Sequence, residues 1–149
     1  MLVGKRDDKD PGAADPRLLS DAEGLVELAG HVEDVRPFIA QADCVVLPSY
    51  YREGTPRSLL EAAAMGKPLI AADSIGTREP VRDGVNGFLC RARDPDDLAA
   101  KMLAMMEFSG DERLRMGSAS RRIAEECFDE RVVIRRYVET IDGLVGEAH

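Results

Sequence analysis

Histidine, cysteine and surplus positive charge are all scarce in this chain, and each scarcity closes off a class of function. Its 149 residues include only three cysteines, Cys44, Cys90 and Cys127, and two histidines, His31 and His149. The cysteines are odd in number, widely spaced and without a Cys-x-x-Cys pair, so neither a disulfide framework nor a zinc site is supported. Cys44 and Cys90 read instead as strand residues in a reducing compartment. Lys and Arg number 20 against 28 Asp and Glu, a formal charge of -8 with a pI near 4.8. Nucleic acid and anionic membrane both demand a cationic surplus, so neither is the expected main partner, and any bound anion must be held locally. No stretch approaches the ~20 consecutive apolar residues of a membrane span, and Met1 to Asp10 lacks the apolar core of a signal peptide. The expected location is the cytoplasm, with peripheral membrane attachment only through a domain outside these residues.

What is present is enough apolar sequence, 44% of the residues, for one soluble globular domain with a sizeable core. Leu2-Val3-Gly4 reads as a strand end, Lys5 to Ala14 as a loop, Pro16 to Glu23 as a short helix and Val26 to Ala29 as a short strand turned by Gly30. Val32, Val35, Ile39 and Ala42 then recur at helical spacing, with Pro37 tolerable within the first turns. Cys44 to Leu47 is a continuous apolar run ended by Pro48, the pattern of a strand covered on both faces in a parallel sheet. Ser58 to Met65 predicts a helix closed by Gly66, Pro68 to Ala72 a buried strand, and Phe88 to Cys90 another. Asp94 as N-cap and Pro95 at the first helical position predict a helix to Phe108, followed by helices over Glu112 to Glu126 and Glu130 to Val145. The last carries an apolar stripe of Val133, Ile134, Tyr137, Val138, Ile141 and Leu144. Strands and helices alternate to about residue 95 and helices alone follow. That order predicts an α/β, Rossmann-like doubly wound parallel sheet with a helical C-terminal extension from about residue 110.

Chemistry concentrates in Pro48 to Ala63, PSYYREGTPRSLLEAA, which joins a buried strand to a helix. In open α/β sheets ligands bind beyond the carboxyl ends of strands, where a helix start presents N–H groups and about half a positive charge to an anion. Gly54 and Thr55 let the backbone approach a ligand, and Arg57 and Ser58 present N–H groups at the helix start, so a diphosphate is the natural guest. Glu53 and Glu61 are too far apart to share a proton as a close dyad, yet their separation suits one carboxylate meeting a sugar and the other a ribose.

EGTPRSLLEA followed by AMGKPLIAADSIGTREPVRDGVNGFL resembles the signature of family 4 retaining glycosyltransferases, two-domain enzymes of the GT-B fold, especially those building bacterial polysaccharides and glycans. The likeness runs from about Gly4 to Leu103, with GHVEDVRPFIAQADCVVLPS similar to the stretch just upstream in that family. It implies that the chain is the nucleotide-sugar-binding C-terminal half of such an enzyme. By matching position, Glu53 would contact the donor sugar near the reacting centre and Glu61 would hold the ribose hydroxyls. The N–H groups of Arg57 and Ser58, with Leu59 next in line, would face the diphosphate. That of Thr55 would face the sugar, with Gly54 among the donor-binding positions, and the backbone at His31 and Val32 the nucleobase. No cofactor and no metal are implied; the nucleotide diphosphate-sugar is a substrate.

Pro56 stands where many members carry Gly, which removes one N–H donor. Members also begin this half with a strand, a Gly-Arg loop and a Lys-bearing helix that grip the diphosphate, and none of these precedes Met1. The missing strand would lie mid-sheet, between those ending at Gly4 and Leu47, so self-association through an incomplete sheet is expected. The acceptor-binding N-terminal domain is missing too. Two other functions remain open: a non-catalytic donor-binding subunit or degenerate remnant that needs a separate acceptor domain, and a sugar-nucleotide epimerase of the same architecture. Outside the motif the simpler readings hold. Asp94-Pro95-Asp96 is a helix cap rather than a metal motif, Met102, Met105 and Met106 are packing, and Arg121 and Arg122 form salt links with Glu125 and Glu126.

Overall fold

A computed structural model of the chain describes residues 1–4, 17, 24–51 and 54–146, within two compact units, Met1–Phe38 and Ile39–His149. In the first unit, β1 (Leu2–Val3) runs parallel to β2 (Leu28–Gly30), with Leu2 opposite Leu28 and Val3 opposite Gly30. The ladder closes where the Gly4 N–H donates to the Gly30 carbonyl at 2.8 Å. Helix α1 (Arg36–Gln41) begins later than the apolar spacing from Val32 predicts. The cause is local: the Asp34 carboxylate accepts from the Arg36 N–H at 3.0 Å and from its guanidinium at 2.8 and 2.9 Å, an Asx-type turn that holds the preceding residues out of the helix. Pro37 at the second helical position then loses no hydrogen bond. The loop expected over 5–14, and all but Arg17 of the helix expected over 16–23, lie outside the described residues.

The second unit holds a three-stranded parallel sheet in the order β3 (Val45–Leu47), β4 (Leu69–Ala72), β5 (Gly87–Cys90). Every residue of β4 is at most 1% exposed, as a central strand covered on both faces requires. Val46, Ile70 and Phe88 are neighbours in register and so share a face. They pack with Leu98 and Met105 of α3 (Pro95–Glu107), Met116 of α4 (Gly110–Cys127), and Phe108 between the two helices. Helix α2 (Arg57–Ala64) covers β3 and β4 and packs on α4, with Leu59, Ala62 and Ala63 fully buried.

Two glycines set the spacing of these layers. A Cβ on Gly87 would fall 1.8 Å from the Leu69 carbonyl oxygen, and one on Gly117 would fall 2.0 Å from that of Gly66, so β5 and α4 approach neighbouring backbone as only glycine permits. Asn86 fastens the loop before β5 to α4. Its Oδ1 accepts from the Arg82 N–H at 2.6 Å, and its Nδ2 lies 2.9 Å from the Pro80 carbonyl and 3.2 Å from Ser120 Oγ. Among the described residues no buried side-chain nitrogen or oxygen lacks a partner.

The helix starts follow their caps. Asp94 Oδ1 accepts from the Asp97 N–H at 2.9 Å with Pro95 in the first turn, so Asp94-Pro95-Asp96 is a cap. Ser109 and Glu112 form a capping box that starts α4 at Gly110, two residues before the predicted Glu112. Arg121 Nε donates to Glu125 Oε1 at 2.7 Å, one turn apart on α4. Helix α5 (Glu130–Gly146) carries the predicted apolar stripe, but Val133, Ile134, Tyr137, Val138, Ile141 and Leu144 are all exposed. Among the described residues β1 and β3 each have a single ladder, and no helix is long and apolar enough to cross a membrane.

Candidate functional site

The chain leaves β3 at Leu47 and enters α2 at Arg57, so the motif loop lies at the carboxyl end of a parallel strand. Pro56 occupies the N-cap position with an extended backbone, and α2 has no side-chain cap bond. The Leu59 and Leu60 N–H groups both reach the Pro56 carbonyl at 3.2 Å. The Arg57 and Ser58 N–H groups precede them, where helix geometry offers no intrahelical acceptor. An uncapped helix start therefore presents two N–H groups and the positive end of the helix dipole, with both side chains exposed. Leu59 differs: its N–H is engaged and its side chain is 0% exposed, so it anchors the helix in the core.

Gly54 is exposed and Thr55 half-buried on the approach to α2. Glu61, one turn into the helix and half-buried, lines a cleft of about 280 Å³ between α2 and α4 with Leu60, Ala64, Arg121, Ala124 and Phe128. Arg121 closes one wall by donating to the Ala64 carbonyl at the end of α2. Glu53, the expected contact to the donor sugar, lies outside the described residues, as does Arg52. His31 is exposed and Val32 half-buried in the first unit, directly after Gly30, whose φ of +65° turns the chain out of β2.

The structure adds residues that the motif does not announce. The Tyr50 and Tyr51 rings stack with centroids 4.6 Å apart, and Ser74, just beyond β4, donates to the Tyr50 carbonyl at 3.2 Å. Thr77, fully buried, places its hydroxyl 2.9 Å from the Ala72 carbonyl and 3.1 Å from that of Ser74, which fixes the turn after β4. Arg78 Nε pairs with Asp73 Oδ1 at 3.2 Å on the same turn. Arg93, beyond β5, lies with its guanidinium carbon 4.3 Å from the centre of the Tyr50 ring. The loops that follow all three strands are thus tied together around Tyr50. Only Tyr50 carried a sequence signal, as an aromatic inside the motif; Ser74 and Arg93 are ordinary polar residues until the strands align. Cys44 takes no part as a nucleophile, because burial, with the Asp43 charge adding, pushes its thiol up to about 12.

A loop from strand end to uncapped helix start, with a carboxylate one turn on, coincides with the match of residues 1–107 to the family model described as Glycosyl transferases group 1. The chain belongs to that family. Among its relatives is an α-1,3-N-acetylgalactosaminyltransferase of Campylobacter jejuni named for N,N'-diacetylbacillosaminyl-diphospho-undecaprenol. It is 32% identical over 97% of this chain and 37% of the relative. A D-inositol 3-phosphate glycosyltransferase of Geodermatophilus obscurus is 39% identical over 78% of this chain and 23% of its own length. The crystal structure of Anabaena HepE in complex with UDP superposes with a TM-score of 0.83 at 27% identity, covering 95% of this chain and 40% of HepE. The chain thus spans less than half the length of these glycosyltransferases. Its α/β, Rossmann-like fold is the C-terminal half of the GT-B architecture of the family.

Proposed function

We propose that this chain is the donor-binding part of a retaining glycosyltransferase that moves a sugar from a nucleotide diphosphate-sugar to an acceptor hydroxyl in the synthesis of a bacterial polysaccharide or glycan. The observation that carries the reading is the uncapped start of α2 beyond β3, with the Arg57 and Ser58 N–H groups free of intrahelical acceptors and Glu61 one turn further on. Solved complexes of HepE with UDP and with UDP-glucose support the ligand class. The C. jejuni relative, named for an undecaprenol-linked saccharide, supports the glycan-building role.

In this reading the diphosphate lies against the start of α2, where dipole and N–H groups offset the charge that grows on the leaving group, the largest kind of catalytic term open to such a site. That role is assigned to the helix start rather than to a metal ion. Glu61 accepts hydrogen bonds from the ribose hydroxyls. Glu53 positions the donor sugar or stabilises positive charge at the anomeric carbon, Gly54 and Thr55 face the sugar, and the backbone at His31 and Val32 meets the base. The acceptor is bound by a domain outside these residues, so the chain by itself is expected to transfer little sugar.

Titration of UDP against wild type and Glu61→Ala tests the reading. Loss of a charge-assisted pair of ribose contacts, about 1.5 to 3 kcal/mol, corresponds to an affinity roughly ten- to a hundredfold weaker. Equal affinity of the two proteins would remove Glu61 from the ribose.

A further inference from the structure

The arginines on the loops that follow β4 and β5 differ in how their charge is matched. Arg78 pairs with Asp73 at 3.2 Å and Arg91 with Asp94 at 2.9 Å, while the Arg82 guanidinium donates to the Glu79 carbonyl at 2.8 Å. Arg93 has no carboxylate partner among the described residues, and its guanidinium instead rests on Tyr50. The same residue is the one described non-glycine position with a positive φ, 61°. Few L side chains adopt that backbone, and where one does the surrounding structure holds it there, which marks the position as a candidate for function.

The two observations point to the same place. Arg93 follows β5 and Tyr50 follows β3, strands separated by β4, so the arginine reaches across the carboxyl edge of the sheet to the loop that leads into α2. Stacking occupies the flat face of the guanidinium and leaves its N–H edge available, a geometry matched to phosphoryl oxygens. A protein of charge -8 attracts no anion at long range, so an unmatched cation over the loop that leads into an uncapped helix start is the kind of local device that binding a diphosphate requires.

We propose that Arg93, held over Tyr50 by a left-handed backbone, is a binding residue for the phosphoryl groups of the nucleotide diphosphate-sugar. The inference rests on the donor-binding reading above and adds a cation from within this chain to the helix start of α2. It also explains why glycine, which fits the backbone at position 93 without strain, is not the residue there.

The test is Arg93→Gly in the full chain, with ligand-observed NMR titrations of UDP and of uridine beside a thermal melt. Removing the side chain also removes the backbone strain, so the melting temperature is expected to hold or rise while UDP affinity falls about tenfold. Uridine, which has no phosphate, is expected to bind both proteins equally. Unchanged UDP affinity would overturn the role of Arg93; if Glu61→Ala still weakened UDP, the donor-binding reading would stand without it. An equal loss for uridine would overturn it as well, by showing that Arg93 shapes the loop rather than meeting phosphate. Failure of wild type to bind UDP at millimolar concentration would overturn both the reading and the inference.

Discussion

Replacing Gly117 with alanine sets two physical effects against each other, and the structure decides between them. Gly117 lies inside α4, where alanine is intrinsically favoured over glycine by about 1 kcal/mol. Yet the added Cβ would lie 2.0 Å from the Gly66 carbonyl oxygen and 2.9 Å from its carbon, both backbone atoms that cannot swing aside. An ordinary carbon–oxygen contact is about 3.3 Å or more, so α4 must retreat from the turn after α2 by about 1 Å. That shift opens the contact that buries Ala62 and Ala63 of α2 and Ala119 and Ile123 of α4. Overpacking of this kind costs about 1 to 3 kcal/mol, and the tight backbone contact places the gross cost at the upper end or above it. The net loss after the helix-propensity gain is about 2 kcal/mol, or roughly 4–8 °C in melting temperature for a chain of this size. Differential scanning calorimetry of wild type and Gly117→Ala measures it. A variant as stable as wild type, or more so, would mean that propensity prevails and that the approach of α4 to Gly66 is not tight. Gly66→Ala is the control: its Cβ meets nothing closer than 3.6 Å, so it carries only the cost of a φ of +68°, about 1 kcal/mol.

Asn86→Ala leaves the Arg82 N–H and the Pro80 carbonyl short of a partner, while the Ser120 hydroxyl keeps its bond to the backbone carbonyl of residue 86; the change is expected to cost about 2 to 4 kcal/mol in denaturant unfolding, whereas an unchanged midpoint would place water in the side chain's stead. The Asp129 carboxyl is drawn from 3.8 down to about 2, first by the Arg131 side chain and then by its backbone N–H. Because the folded value is the lower one, this contribution to stability is complete above pH 4 or so. It is lost as pH falls through about 2. A carboxyl NMR titration of Arg131→Ala should show the Asp129 midpoint move back up, and an unmoved midpoint would refute the pairing. Among the described residues β3 is laddered on one side only, so the chain by itself is expected to self-associate through that edge, with sedimentation of a monomer at all concentrations as the refuting result.

Much of the site was legible because its chemistry is local. Pro48 ends an apolar run, Pro56 and Arg57 open the next helix, and Glu61 follows one turn on, so strand, loop, helix start and carboxylate are all fixed by near neighbours in sequence. The same locality explains the larger displacements of helix starts, at Asp34 and Ser109 where a side chain reaches back, whereas α2 begins at Arg57, one residue before the predicted Ser58. The sequence by itself determined the alternation of strands and helices, the buried runs of β3 and β4, and the family. Tertiary structure alone decided what depends on residues brought together from afar. Asn86 and Ser120, 34 positions apart, meet across the sheet–helix boundary, Gly117 meets Gly66 at backbone contact, and Arg93 lies over Tyr50. Neither propensity nor periodicity encodes such meetings, because both describe what one segment favours and not which atoms of another segment will be waiting when the layers close.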